Sequence, residues 1–347
     1  MKVGLITGHE KIELQDFPAP TAEEGLAVVE ISHCGICGTD LHAFHTGAPY
    51  NPAICGHEWA GSVSAVGKGV SDVREGDRVG VGVPTACGQC TECRAGDATH
   101  CESVLLGMLA VGPFGAPHGG FAPSLAVNAK RLYPIHPKLS DIEAGLLEPA
   151  TVAVHAVRRT PMRLGDSVVV LGAGPIGLLV LQCAIAAGAG CAVMIEPAAD
   201  RARLAKELGA TCVIDPTTED VEARVKEECG QIGADVVYEC AGIPKTIDQS
   251  VTLARRGGVV SLVGLASLPA EIAPGNWLIK EVRLVASLGY LHDEFDHTMQ
   301  LVADGRLRLE PMHSRTIGLA GLDAAFRSLL ANEGDVKILV DPRLESS

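Results

Sequence analysis

Four cysteines stand close together in the segment CGQCTECRAGDATHC, separated by two, two and seven residues. Short gaps let neighbouring thiolates converge on one ion, and the longer gap lets the chain turn back to complete a tetrahedron. Four thiolates leave no open coordination position, so the pattern predicts a structural zinc site in a lobe of residues 84–104. The alternative is a loop of free or oxidised cysteines. The expected zinc ligands are Cys87, Cys90, Cys93 and Cys101.

A second group of thiols and imidazoles lies earlier, in CGICGTDLHAFHTGAPYNPAICGHEW, which runs from Cys34 to Trp59. Such side chains bind metals, carry protons or simply pack in a core. A thiolate and an imidazole on loops after short strands make a sensible pair of metal ligands. Buried free cysteines usually behave as small apolar residues, which is the simpler interpretation of Cys34 and Cys55.

A glycine-rich turn, GAGPIG, follows the apolar strand SVVVL and precedes an apolar helical segment. The glycines permit a tight turn and close approach to a pyrophosphate, which then faces the N-terminus of the helix. A second strand ends at Glu196, 19 residues beyond Gly177, where a carboxylate binds ribose hydroxyls and repels a 2′-phosphate. We therefore predict NAD, although Arg201 and Arg203 keep NADP open. The expected cofactor-binding residues are Gly172, Gly174, Pro175, Ile176, Gly177, Glu196, Arg201, Val263, Leu265 and Leu288.

The composition is that of an ordinary globular protein. The chain has 347 residues, 47% of them hydrophobic and 20% charged, and this length suggests two domains. A net charge of −14 without a basic tract makes nucleic acid and anionic membranes poor partners. Glycines and a proline interrupt the uncharged run 168–195, which favours strand, turn, helix and strand over a membrane span. The N-terminal segment lacks a signal-peptide pattern, so we expect a cytoplasmic protein with reduced cysteines.

Strand and helix patterns alternate after the glycine-rich turn. Apolar strands such as ADVVYE and GGVVSLV are separated by segments with helical spacing, such as RARLAKELGA. This alternation predicts an α/β fold with a doubly wound, Rossmann-type parallel sheet over residues 153–288.

The order of the motifs resembles that of the zinc-dependent medium-chain alcohol dehydrogenases, most of all the butanediol and sorbitol (polyol) branch. CGICGTDLH, GHEWAG, the four-cysteine lobe, HGGFA, LLEPATVAVHA and GAGPIG occur in the family order, and the resemblance covers the whole chain. It implies a catalytic domain of residues 1–152, completed by residues 289–347, with a mostly antiparallel GroES-like barrel. It also implies two zinc ions per chain and a homotetramer or homodimer.

The resemblance also implies roles for individual residues. Cys37 and His57 would be ligands of a catalytic zinc, and the third ligand would be a carboxylate, either Glu58 or Glu148. In the family, the hydroxyl at the position of Thr39 bonds to the substrate oxygen. The imidazole at the position of His42 receives the proton through the nicotinamide ribose and passes it to solvent.

The implied reaction is reversible hydride transfer between NAD and a secondary alcohol, which could be a diol, a polyol or a hydrophobic alcohol. Departures from the family pattern, such as HGGFAPS and Trp59 after GHE, favour an apolar cleft. A threonine dehydrogenase or an aldehyde-utilising relative is an alternative enzyme. A non-catalytic protein that binds NAD and zinc is an alternative of another class.

Overall fold

The computed structural model describes residues 1–344, which form two compact units. The first contains Met1–Glu148, Tyr290–Ala303 and the chain from His313 onward, and the second contains Pro149–Gly289 and Asp304–Met312. Asp304–Met312 therefore groups with the second unit, whereas the sequence analysis assigned all of 289–347 to the first domain. No helix in the described part of the chain is long and apolar enough to cross a membrane.

The described residues form fifteen strands and twelve α-helices. The strands are β1 (Lys2–Gly8), β2 (Lys11–Asp16), β3 (Leu26–Gly35), β4 (Glu58–Val66), β5 (Arg78–Val81), β6 (Ser124–Asn128), β7 (Leu132–Pro134), β8 (Ser167–Leu171), β9 (Cys191–Ile195), β10 (Cys212–Ile214), β11 (Ala234–Glu239), β12 (Ala254–Leu262), β13 (Arg283–Ala286), β14 (His313–Ile317) and β15 (Lys337–Val340). The α-helices are α1 (Gly38–Thr46), α2 (Thr91–Arg94), α3 (Glu102–Met108), α4 (Asp141–Gly145), α5 (Leu147–Arg159), α6 (Pro175–Ala186), α7 (Ala199–Glu207), α8 (Val221–Cys229), α9 (Pro244–Leu253), α10 (Pro274–Lys280), α11 (His292–Ala303) and α12 (Leu322–Leu330).

The first unit is built on a mostly antiparallel sheet. Its strand order is β14-β15-β3-β4-β5-β7, and β6 also pairs with β3. All of these pairings are antiparallel except that of β14 with β15. A separate two-stranded ribbon is formed by β1 and β2. This arrangement confirms the expected antiparallel, GroES-like architecture.

Aromatic residues in the core of the first unit fix helix α1. Phe44 of α1 is fully buried and packs edge-on against Phe326 of α12, with ring centroids 5.2 Å apart. Phe326 in turn contacts Phe121. Burying a phenylalanine side chain contributes about 2–3 kcal/mol. The start of α1, where Cys37 lies, is thereby held against the rest of the unit.

The second unit is a parallel sheet with helices between its strands. The strand order is β10-β9-β8-β11-β12-β13, and every pairing is parallel. Strand β8 is buried at all five positions, which explains its apolar run without alternation. The chain reverses direction across the sheet between β8 and β11, the point where doubly wound folds bind dinucleotides. The predicted Rossmann-type sheet is confirmed.

Candidate functional site

Cys37, His57 and Glu58 come together at one end of the first unit's sheet. One ligand atom from each lies within 4.8 Å of the others. A thiolate sulfur, an imidazole nitrogen and a carboxylate oxygen are all zinc donors. Three protein donors leave one of four tetrahedral positions for a water or substrate, as catalytic zinc sites require. The donor set therefore fits a catalytic zinc ion.

The local fold explains why Cys37 is suited to be a ligand. Strand β3 ends at Gly35, and Cys37 is the N-cap residue of α1, whose Sγ accepts a hydrogen bond from the amide of Thr39. Because Cys37 precedes the first helical turn, its sulfur is fixed by the direction of α1.

His57 is oriented by a main-chain carbonyl. Its Nδ1 donates to the carbonyl oxygen of Ile54 at 3.0 Å, which leaves Nε2 available as a metal donor. The nearest oxygen of Asp40 lies 3.9 Å from the same Nδ1, which is too long for a hydrogen bond. The carbonyl therefore selects the imidazole tautomer.

One member of the metal-ligand group, Glu58, also forms a buried ion pair. The ammonium of Lys337 in β15 contacts Oε2 of Glu58, and both side chains are only 2% exposed. Lys337 also donates to the carbonyl oxygen of Ile36 at 2.9 Å. Burial by itself lowers the pKa of Lys337, but the charges of Glu58 and Cys37 outweigh it and the pKa is raised. One carboxylate oxygen is thus paired with the lysine.

A glycine makes room for this ion pair. Gly35 lies opposite Glu58 in the β3–β4 register. A Cβ atom at Gly35 would stand 2.2 Å from Oε2 of Glu58 and 3.0 Å from Cε of Lys337. The sequence analysis missed Lys337, although a lysine inside the apolar run VKILV was a detectable signal.

Glu148 lies near the group but outside it. It is in the first turn of α5, and it does not join the three residues whose donor atoms lie within 4.8 Å of one another. Burial raises the pKa of Glu148 to about 7, with His57 opposing and Glu58 reinforcing the shift. Burial raises the pKa of Tyr290 well above its ordinary value, and the charge of Glu148 raises it further. This geometry favours Glu58 as the carboxylate closest to Cys37 and His57.

Thr39 and His42 both lie on α1, just after Cys37. The Thr39 hydroxyl oxygen lies 3.7 Å from Sγ of Cys37, so it borders the metal-ligand group. His42 is partly buried and lies one helical turn further along α1. Their predicted roles toward the substrate remain predictions.

The four cysteines of the lobe also come together. One sulfur from each lies within 4.8 Å of the others, which fits a closed tetrahedral zinc site. The amides of Gln89 and Cys90 donate to the sulfur of Cys87 and lower its pKa to about 6. Gly88 and Gly96 adopt positive φ angles of 73° and 86°, as the turns of the lobe require.

The glycine-rich turn of the second unit has the geometry of a pyrophosphate cradle. A Cβ atom at Gly177 would stand 1.8 Å from the carbonyl oxygen of Gly172, so helix α6 could not pack this closely with any other residue. Gly174, the N-cap of α6, faces open space, with no heavy atom within 4 Å of a Cβ built there. Pro175 follows at the first helical position.

Two buried carboxylates hold the loops beside this turn. Glu196, only 6% exposed, accepts hydrogen bonds from the amides of Ala173 at 2.7 Å and Ala198 at 2.9 Å. Glu239, fully buried at the end of β11, accepts from the amides of Ala241 and Gly242, each at 2.9 Å. The sequence analysis missed Glu239, although an acid that ends the strand ADVVYE was a usable signal.

The other predicted cofactor residues follow strand ends or lie on α7. Arg201 is on α7, just beyond Glu196. Val263 follows β12 directly, and its amide donates to the main-chain oxygen of Glu239. Leu265 and Leu288 are 64% and 75% exposed. Contact of these four with a cofactor remains a prediction.

A catalytic zinc donor set and a dinucleotide turn in one chain define a metal- and nicotinamide-dependent oxidoreductase. The sequence matches the zinc-binding dehydrogenase family over residues 175–304 and the alcohol dehydrogenase GroES-like domain over residues 23–137. The chain belongs to the zinc-dependent medium-chain alcohol dehydrogenases. The resemblance stated from the motifs is confirmed, and the protein is an enzyme that acts on small molecules.

Individual relatives agree along the full chain. (R,R)-butanediol dehydrogenase of Bacillus subtilis is 32% identical over 99% of this chain and 100% of its own length. Sorbitol dehydrogenase of the same organism is 33% identical over 77% of this chain and 76% of its own length. The structure of a zinc-binding dehydrogenase from Sinorhizobium meliloti 1021, bound to NADP, superposes with a TM-score of 0.86 at 32% identity, covering 98% of this chain and 99% of that one.

We expect Lys337→Met to lower the free energy of unfolding of the first unit by about 3 kcal/mol, because it leaves the buried carboxylate of Glu58 without its counter-charge. Lys2→Met is the matched control, since Lys2 pairs with Asp16 at the surface and should cost less than about 1 kcal/mol. Thermal and urea unfolding at neutral pH measure both. Equal effects of the two substitutions would show that the buried pair contributes no more than a surface pair.

Proposed function

We propose that this enzyme oxidises a secondary alcohol reversibly, with hydride transfer to NAD, at the group formed by Cys37, His57 and Glu58. The observation that carries the proposal is this three-donor set, since it leaves a coordination position for a substrate oxygen. The four-cysteine lobe would hold a second zinc ion with a structural role only. Glu148 would act beside the group, as a carboxylate close to the substrate position.

The chain's own residues would perform distinct tasks in this reaction. When bound, zinc supplies Lewis acidity that lowers the pKa of an alcohol hydroxyl, and the nicotinamide ring accepts hydride. Thr39 would orient the substrate oxygen through its hydroxyl group. His42 would accept the proton that the alcohol releases and pass it to solvent, as a general base does.

The substrate class is proposed from the relatives and the residues together. The similar proteins named butanediol dehydrogenase and sorbitol dehydrogenase support a diol or polyol. A hydrophobic secondary alcohol stays a further candidate from the sequence, but Trp59 does not support it, because its side chain packs in the apolar core of the first unit. A threonine-type or aldehyde substrate is the alternative that a substrate panel tests.

The direct test is NAD reduction with secondary alcohols, diols, polyols, threonine and aldehydes, together with the zinc content. We expect two zinc ions per chain, activity with one class of alcohol, and loss of that activity after chelation. His42→Asn should lower kcat by about 100-fold, because the proton acceptor is removed. The matched control is His45→Asn, an exposed residue of the same helix that lies near Glu10 and should leave kcat unchanged. Inactivity toward the whole panel, with zinc and NAD both bound, would contradict the proposed reaction.

We propose NAD rather than NADP because Glu196 follows the second strand of the dinucleotide fold, where a carboxylate would repel a 2′-phosphate. Glu196→Gln keeps the shape of the side chain but removes its charge, so repulsion of the extra phosphate is lost. We expect the ratio of kcat/KM for NAD to that for NADP to fall about tenfold. Glu207→Gln, at an exposed residue that pairs with Arg308, is the control. A wild-type preference for NADP would refute the proposal; the NADP-bound relative makes this outcome a real alternative.

We also propose that the enzyme is a homo-oligomer, either a tetramer or a dimer. Residues 265–288 carry many exposed large apolar side chains. In addition, β13 lies at the edge of its sheet and pairs only with β12 among the described strands. Extended apolar surfaces on soluble proteins typically mark interfaces, and a free edge strand is well suited to pair with a second copy. These side chains are Leu265, Leu268, Ile272, Leu278, Ile279, Leu284 and Leu288.

Light scattering after gel filtration tests the oligomer. We expect Leu278→Lys combined with Ile279→Lys to shift the protein toward monomers, since both residues are more than 70% exposed in the single chain. Leu164→Lys is the control, because Leu164 is 88% exposed but lies outside residues 265–288. A monomeric wild-type protein, or a double variant with unchanged mass, would argue against this interface.

A further inference from the structure

Tyr50 lies in the loop between α1 and His57, and no part of the proposed reaction uses it. Its hydroxyl group donates a hydrogen bond to Oδ1 of Asp40 at 2.7 Å. Its ring packs against the apolar core of the first unit. The phenol is therefore held at a fixed place, with its polar end directed at one buried carboxylate.

That carboxylate joins the main chain of both ligand loops. Asp40 is fully buried, and its Oδ2 accepts from the amide of Cys37 at 3.1 Å. Its Oδ1 accepts from the amide of Gly56, the residue before His57, at 3.2 Å. One side chain thus connects the residue that supplies the thiolate with the neighbour of the residue that supplies the imidazole.

A buried carboxylate needs strong donors to stay in one orientation. Burial without hydrogen bonds is costly for a charged group, and a bond from a hydroxyl to a carboxylate is stronger than a bond between neutral groups. The two amide donors belong to the loops that have to be aligned, whereas Tyr50 brings a donor anchored in the core. Although Tyr50 belongs to the loop that leads to His57, its ring packs against the apolar core, so its phenol can set the direction of the carboxylate from an anchored position.

We propose that Tyr50 is a positioning residue for the metal centre, which acts through Asp40 to fix the separation of Cys37 and His57. The inference rests on the proposed function, because it takes the Cys37–His57–Glu58 group to bind zinc. Without the hydroxyl group of Tyr50, the carboxylate of Asp40 can rotate. Its hydrogen bonds with the amides of Cys37 and Gly56 then no longer hold the two loops at a fixed separation. The metal is then held in a less uniform geometry and leaves faster.

The test compares Tyr50→Phe with Tyr133→Phe in the zinc-loaded protein. Tyr133 is a matched control, since its buried hydroxyl bonds to the main-chain oxygen of Val83 at 2.7 Å and to Nδ1 of His292 in the same unit, rather than to Asp40. Zinc release to a coloured chelator should show two phases, and the four-cysteine lobe supplies an internal standard. We expect Tyr50→Phe to accelerate one phase about tenfold, the loss expected for one hydrogen bond to a charged group, and to leave the other unchanged. Tyr133→Phe should change neither.

Two further measurements separate positioning from general destabilisation. Cobalt placed in the catalytic site reports ligand geometry by its visible absorption, and we expect its bands to shift in Tyr50→Phe but not in Tyr133→Phe. In an Asp40→Asn background, Tyr50→Phe should add less than twofold to the release rate, because the group through which it acts is already changed.

Three outcomes would overturn the inference. The release rate and cobalt spectrum of Tyr50→Phe could equal those of the wild type, or both zinc phases could accelerate together, as general loosening predicts. A wild-type chain that binds zinc only in the four-cysteine lobe would overturn the proposed function and this inference with it. The zinc content of the wild-type protein is measured before any variant is made. Failure of the proposed function can therefore be distinguished from failure of the inference about Tyr50.

Discussion

The pairing of β3 with β4 is the constraint from which the catalytic region follows. It sets Gly35 opposite Glu58, so the loop after β3 and the loop before β4 meet at the same end of the sheet. Cys37 lies on the first loop and His57 on the second. A shift of one residue would turn Glu58 to the other face of the sheet, because side chains alternate along a strand. Gly35 has no Cβ atom, which leaves space for the side chain of Glu58. The ammonium of Lys337 supplies the counter-charge that a buried carboxylate needs.

Buried charge is used in different ways around the two candidate metal sites. The four-cysteine lobe lowers the pKa of Cys87 with main-chain amides on a short loop, and it needs no counter-charge from the rest of the unit. The group at Cys37 is built from three distant parts of the chain, because Cys37 caps α1, Glu58 begins β4 and Lys337 begins β15. A closed site can therefore be encoded in one short segment, whereas an open site depends on how the whole unit folds.

In the second unit, carboxylates at strand ends organise the loops where a dinucleotide would bind. Glu196 bonds the glycine-rich turn after β8, and Glu239 bonds the turn after β11. These strands flank the point where the order of the sheet reverses, so the two loops face the same crevice. Glu196 was found from its distance to Gly177. Glu239, an acid at the end of β11, was overlooked, and its role in holding the following turn became clear only from its hydrogen bonds with the amides of Ala241 and Gly242.

The sequence alone determined the parallel sheet, the glycine-rich turn, the four-cysteine lobe and the family, because each depends on local spacing or on the order of motifs along the chain. The motifs also identified Cys37 and His57 as expected zinc ligands, but they left Glu58 and Glu148 as equal candidates for the third ligand. In the tertiary structure Glu58 groups with Cys37 and His57 and Glu148 does not, and for this reason Glu58 is the carboxylate that we propose as the ligand. Lys337 was recognisable only as a lysine inside the apolar run VKILV, and nothing in the sequence pointed to Tyr50. Lys337 reaches Glu58 across 279 positions of chain through sheet pairing, and the contact of Tyr50 with Asp40 depends on the path of a loop.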